Sequence, residues 1–165
     1  MNSGQMLLSI GALLLLSLTV LRVNNTILQT DSVMMDSKFG ILATSIATSF
    51  IEKASKKAFD ANTFEDAVST LSELTPASGL GPASGETTPE TFNDFDDFNG
   101  YTEQITNLPS AIFDVSCTVC YTNPTNPDGK LTTQSWNKKM TVKVSSPSSQ
   151  DTIKLSTIYS YWHFR

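Results

Sequence analysis

Apolar positions fall into two regimes along the first part of the chain. From Met6 to Leu21 the sequence reads Met-Leu-Leu-Ser-Ile-Gly-Ala-Leu-Leu-Leu-Leu-Ser-Leu-Thr-Val-Leu, without a charge or a proline. Beyond Arg22 the apolar residues keep to one side. Met35, Phe39, Leu42, Ile46 and Phe50 stand four, three, four and four apart, and Ala43, Ala47, Ile51, Ala54 and Ala58 widen the stripe. Asp36, Ser37, Ser45, Glu52 and Lys56 lie opposite. This is helical spacing. The pattern predicts one helix over 1–59, with an apolar segment at 1–23 and an amphipathic remainder. Gly40 weakens it by about 1 kcal/mol relative to alanine.

The remainder, 60–165, reads as a globular head. Thr63-Phe-Glu-Asp resembles a capping box, and Phe64, Val68 and Leu71 share a face, which predicts a short helix to about Leu74. Residues 75–91 hold three prolines and three glycines and predict a loop. The loop region extends to 101. Three runs then alternate apolar and polar: 111–121, 136–144 and 153–162. In the second, Trp136, Met140, Val142 and Val144 share a face. Turn-rich stretches at 123–130 and 146–151 separate the runs, so they predict a three-stranded antiparallel meander, open to an added edge strand. The expected fold is α+β: a long N-terminal helix packed on a small antiparallel sheet.

The uncharged run spans about 24 Å as a helix, slightly short of the roughly 20 residues that cross a bilayer core. Three readings compete for it. A cleaved signal peptide lacks support, because Met1–Gln5 has no Lys or Arg and Arg22-Val-Asn-Asn is not an Ala-x-Ala site. A plain membrane anchor is the second. The third is a polymerisation helix, which leaves the membrane to pack with copies of itself. Ser9, Gly11, Ala12 and Ser17 would let such helices approach closely.

The chain has 165 residues and a formal net charge of -5. No basic stripe accompanies its aromatic residues, so nucleic acid is not an expected partner. Cys117 and Cys120 lie in a predicted strand, whose alternation sends them to opposite faces. A bulge there, or a strand ending at Val119, would permit a disulfide, which is the expected state in an oxidising compartment. A redox pair would need a helix N-terminus, and zinc would need ligands beyond His163. His163 belongs to a terminal aromatic cluster expected to pack on the head or on a neighbouring subunit. No nucleophile–base arrangement is evident, and no enzyme activity is expected. Asn93, Asp94, Asp96, Asp97 and Asn99 place five oxygen donors in seven residues. They could form a calcium site, an Asx turn anchored by Phe92, Phe95 and Phe98, or an acidic patch that meets Lys53, Lys56 and Lys57. No other cofactor is expected.

The layout of 1–60, with Phe92-Asn-Asp-Phe-Asp-Asp-Phe-Asn-Gly-Tyr101, resembles that of type IV pilins and pseudopilins. The second stretch is similar to an acidic segment of minor prepilin-like proteins of the mannose-sensitive haemagglutinin type. Two positions depart from the family: Gln5 stands where a glutamate is usual at the fifth mature position, if Met1 is the first, and Arg22 stands where a proline is common.

The resemblance implies a structural subunit of an extracellular pilus or pseudopilus filament, held in the cytoplasmic membrane before assembly. Its partners would be copies of itself and a pilus or type II secretion-like machinery. Met6, Leu7, Leu8, Ile10, Leu13, Leu14, Leu15, Leu18 and Leu21 would line the filament core, and Gln5 would help set register. The rival expectation is a monomeric, membrane-anchored extracytoplasmic binding module with 75–101 as its ligand surface.

Overall fold

The computed structural model describes residues 2–109, 111–149 and 151–164, with His163 and Phe164 as backbone only. The expectations placed on Met1 and on the His163 side chain lie outside the described residues. One α-helix, α1, runs Ser3–Ser55. It ends a turn earlier than the apolar pattern suggests, because Lys56, Lys57 and Ala58 turn away. Ala58 then bridges Asp94, and its carbonyl accepts the Phe95 N–H at 2.8 Å.

The chain divides into two compact units, Met1–Lys38 and Phe39–Arg165. In the first, every described residue is exposed except Gly11, which is half-buried. The second begins inside the helix, at the residue where its apolar face starts to be covered. Phe39, Ala43, Ala47, Phe50 and Ala54 are buried, and Leu42, Ile46 and Ile51 are partly so. The small alanines let the helix lie close to the sheet, while the two phenylalanines fill the space on either side. Met35, predicted to share this face, remains exposed.

The sheet has four strands rather than three: β1 (Thr102–Ile105), β2 (Phe113–Tyr121), β3 (Asn137–Ser145) and β4 (Thr152–Ser160). Their order is β1-β2-β3-β4, and every pairing is antiparallel. Alternation sets the core. Phe113, Val115, Cys117, Val119 and Tyr121 of β2 point inward, with Lys138, Met140, Val142 and Val144 of β3. The edge strand β1 was hard to foresee, since Thr102, Glu103 and Gln104 are polar and exposed. Gly100 feeds it with a φ of 80°, a conformation that side chains resist, and its N–H reaches the Cys117 carbonyl at 3.0 Å.

The short helix expected over 63–74 is absent. Two 3-10 turns, Ala61–Thr63 and Leu71–Glu73, stand there instead. Asp60, not Thr63, is the N-cap of the first, and Glu73 caps the backbone of Ser69 and Thr70. These side chains satisfy backbone groups locally and so compete with helix formation. Phe64 points to solvent, 67% exposed, while Val68 is buried. Residues 75–91 form a loop without helix or strand, as the prolines and glycines require.

A second small core joins the loop to the sheet: Phe59, Val68, Leu74, Tyr121 and Tyr161. Phe95 is fully buried and packs on Tyr159 at 4.9 Å between ring centres. Phe95→Ala is expected to cost roughly 3–5 kcal/mol, and Phe64→Ala to stay within about 0.5 kcal/mol, in denaturant unfolding of the detergent-held chain followed by tryptophan fluorescence.

Candidate functional site

Two places concentrate what the sequence marks as functional. The first is the N-terminal unit of α1. Met6, Leu7, Leu8, Ile10, Leu13, Leu14, Leu15, Leu18 and Leu21 lie between 49% and 76% exposed. A free helix with this surface would be insoluble, so it needs lipid or other helices around it. The helix is long and apolar enough to cross a membrane, and none of its apolar stretch is buried. Gln5 sits in the first turn, where its carbonyl accepts the Ser9 hydroxyl at 2.9 Å. Ser17, Thr19, Thr26 and Thr30 likewise bond back to carbonyls one turn earlier. Their hydroxyls are thereby satisfied without water, as an apolar setting demands.

The apolar surface continues past the uncharged run. Ile27, Leu28, Val33, Met34 and Met35 are all exposed, although Asn24, Asn25, Gln29, Asp31, Asp36 and Lys38 lie among them. Lipid cannot cover this stretch without also burying charges.

The second place is the acidic segment. Of the three readings of this segment, the structure has the Asx turn anchored by its phenylalanines, and it buries Asp94, Asp96 and Asp97 at 2% exposure each. A 3-10 turn, Asp96–Phe98, is anchored by Phe92, Phe95 and Phe98, all in the core. Asp94 Oδ1 accepts the N–H groups of Asp96 (2.8 Å) and Asp97 (3.2 Å). Asp97 Oδ2 accepts those of Asn93 (2.9 Å) and Asp94 (3.0 Å). These are Asx-type turns. Asn93 donates to the Glu86 carboxylate, and Asn99 bridges the Leu80 carbonyl and the Val119 N–H.

The five donors therefore face different partners. Among the described residues no group of three His, Cys, Asp or Glu is placed to hold a metal ion. The proposed meeting with Lys53, Lys56 and Lys57 is not made by these carboxylates. Lys57 instead donates to the Phe92 carbonyl at 2.5 Å.

The cation that does meet the acidic segment is Lys138, which the sequence reading passed over. Its side chain is wholly buried on the inward face of β3. The ammonium donates to the Phe59 carbonyl (2.7 Å), to Asp60 Oδ2 (2.8 Å) and to Asp96 Oδ1. All three of its donors are thus used. It also lies over the Phe59 ring, 4.6 Å from its centre, and near that of Tyr121, at 5.4 Å.

Asp60 is held in turn by the Thr75 N–H and hydroxyl and by the Asn62 N–H. The Tyr121 hydroxyl donates to the Thr75 carbonyl at 2.7 Å and lies 3.3 Å from Asp60. Burial disfavours charge on Asp60, but Lys138 and these hydrogen bonds outweigh it and hold the carboxyl below its ordinary range. Asp94 goes the other way. Burial, then the Asp96 charge, pushes it up to about 8.

Both thiols are free, against the disulfide expected for an oxidising compartment. The reason is the regular strand: Cys117 pairs with Val142 and Cys120 with Lys139, without a bulge, and the two point to opposite faces. Burial pushes Cys117 up to about 12 and also raises Cys120, the reverse of a reactive thiol.

No protein-family model, curated protein or solved structure matches the chain.

Lys138→Met leaves Asp60 and Asp96 buried without their cation and is expected to cost on the order of 3–5 kcal/mol in denaturant unfolding. Asp94 keeps a proton to about pH 8 when folded, but only through the ordinary carboxylate range when unfolded. The folded chain therefore binds the extra proton between those values, and stability falls as pH rises through that window. Asp94→Asn should flatten this fall in thermal melts taken across that window.

Proposed function

We propose that the chain is a structural subunit of an extracellular filament of the type IV pilus or pseudopilus kind. The observation that carries this reading is the apolar surface at 24–38, which lies among charges and amides where lipid cannot follow. A solitary membrane anchor needs only the uncharged run. A subunit that packs against its copies needs apolar contact along more of the helix. Full burial of a Leu or Ile side chain is worth about 1.5–3 kcal/mol. Ile27, Leu28, Val33, Met34 and Met35 each keep roughly half of their surface uncovered in the single chain. Covering them would contribute on the order of 1 kcal/mol apiece.

In this account Met6 to Val23 is stored in the cytoplasmic membrane. Assembly moves it from lipid into contact with the same segment of neighbouring chains. The change in surroundings is small, because one apolar surface replaces another, so packing and small residues decide the outcome. Gly11 and Ala12 would let helices approach, and Gln5 would offer a hydrogen bond near neighbouring N-termini. The 39–165 unit would form the outer layer. Partners on this reading are copies of the chain, the membrane before assembly, and an extraction machinery of the type II secretion or pilus class.

The experiment separates insertion from polymerisation. Ile27→Asp is expected to leave the chain in the membrane fraction yet abolish sheared surface fibres. Leu14→Asp should abolish fibres and weaken insertion, by about 2.5–3.5 kcal/mol at the helix centre. Tryptophan fluorescence of the 39–165 unit should match the parent in both. Normal fibres from Ile27→Asp would refute the reading.

A further inference from the structure

Lys138 and Asp96 form a buried contact with the parts of a condensation site around it. The Lys138 side chain is 0% exposed and that of Asp96 is 3% exposed. Phe59 and Tyr121 flank the amine, and Phe95 is buried beside the turn that carries Asp96. Water is thereby excluded from both groups. Two further carboxyls stand at hand with opposite characters. Asp60 lies 2.8 Å from the amine and is held ionised by Thr75 and Asn62. Asp94 sits against Asp96, whose N–H it accepts at 2.8 Å.

We propose that Lys138 and Asp96 join in an intramolecular isopeptide bond, from Nζ of Lys138 to Cγ of Asp96, with release of one water. Lys138 begins as an ammonium and Asp96 as a carboxylate. Asp60 takes one ammonium proton, which leaves a lone pair on Nζ. Asp94 lends its proton to Asp96, so that the attacked carboxyl is neutral and its Cγ is electrophilic. The Nζ lone pair forms the new C–N bond, and one C–O bond of Asp96 breaks. That oxygen leaves as water. Its two protons come, net, from the ammonium, while the third ammonium proton stays on the amide nitrogen. Asp60 and Asp94 return to their starting states, and no oxidant, reductant or cofactor takes part.

The driving force is local. A buried ammonium and a buried carboxylate are both costly to hold in a dry interior, and a neutral amide replaces them. The raised proton affinity of Asp94 supports its role as the acid, since it keeps a proton at neutral pH. Asp60 is a poor target for attack, because three donors besides Lys138 stabilise its charge: the Asn62 N–H and the Thr75 N–H and hydroxyl. The link would tie the acidic turn to the start of β3, across 42 residues of sequence. That joint would resist pulling.

The test is peptide mapping of the full chain, extracted from membranes in mild detergent. The sequence has no Lys or Arg between Lys57 and Lys130, so trypsin releases 58–130 as one peptide. The expected result is 58–130 joined to 131–139, uncut after Lys138, with a combined mass one water below the sum. Tandem fragmentation should place the join at Asp96. Recovery of 58–130 and 131–138 as separate, full-mass peptides would overturn the proposal. So would a water loss confined to 58–130, which would be a cyclised aspartate, or a join at Asp60. Asp94→Asn should melt cooperatively and yield the separate peptides; a join at parental yield in that variant would overturn the assigned proton donor.

Discussion

The ammonium of Lys138 has no route to water, and a charge in that position must find partners inside the protein. It finds three, from two parts of the chain: the adjacent Phe59 and Asp60, and the distant Asp96. The Phe59 carbonyl marks the segment just after the helix, Asp60 starts the first 3-10 turn, and Asp96 belongs to the acidic turn. The lysine itself sits in the central strand β3. A change of register in β3 by one residue would put Lys138 in solvent and drop Lys139 or Asn137 into a site with two carboxylates. The geometry of the 39–165 unit is thus conditional on this one residue. Tyr121 and Thr75 extend the network outward, and among the described residues no buried side-chain nitrogen or oxygen lacks a partner.

The N-terminal unit obeys the opposite constraint. Nothing within the single chain covers it, and its hydroxyls are turned back onto its own carbonyls. The two units therefore divide the physical problem. Residues 39–165 bury most of their apolar surface internally, while 3–38 satisfy their hydroxyls within the helix and leave their apolar surface to the surroundings. A filament subunit, as proposed, needs this division, because the surface that assembles cannot also be used to fold.

Much of the fold was legible, and the reasons differ by element. The stripe from Phe39 to Ala54 and the alternation of β2 and β3 announce their buried faces directly, since burial there is apolar and periodic. The opposite orientation of Cys117 and Cys120 followed from strand parity alone. The helix expected at 63–74 failed because Asp60 and Glu73 cap short turns, and such side chains compete with helical hydrogen bonds in ways periodicity does not register. The added edge strand could not be placed at β1 because an exposed polar edge strand has no apolar signature. The Asx turn anchored by Phe92, Phe95 and Phe98 was legible, but the burial of its carboxylates was not, because charge was read as exposure. The correcting signal was present in Lys138, which shares parity with Met140, Val142 and Val144. An inward lysine requires buried counter-charges, and the aspartates flanked by Phe92, Phe95 and Phe98 are the stretch of sequence best suited to supply them.

The central claim is that this helix assembles copies of the chain outside the cell. Its most direct test is to shear cells, pellet the released material, and obtain an electron micrograph and an intact mass from the same pellet. The account predicts thin fibres in which this chain is a component, with Met6 to Val23 retained. Finding the chain wholly in the membrane fraction, with no fibre containing it, would contradict the account.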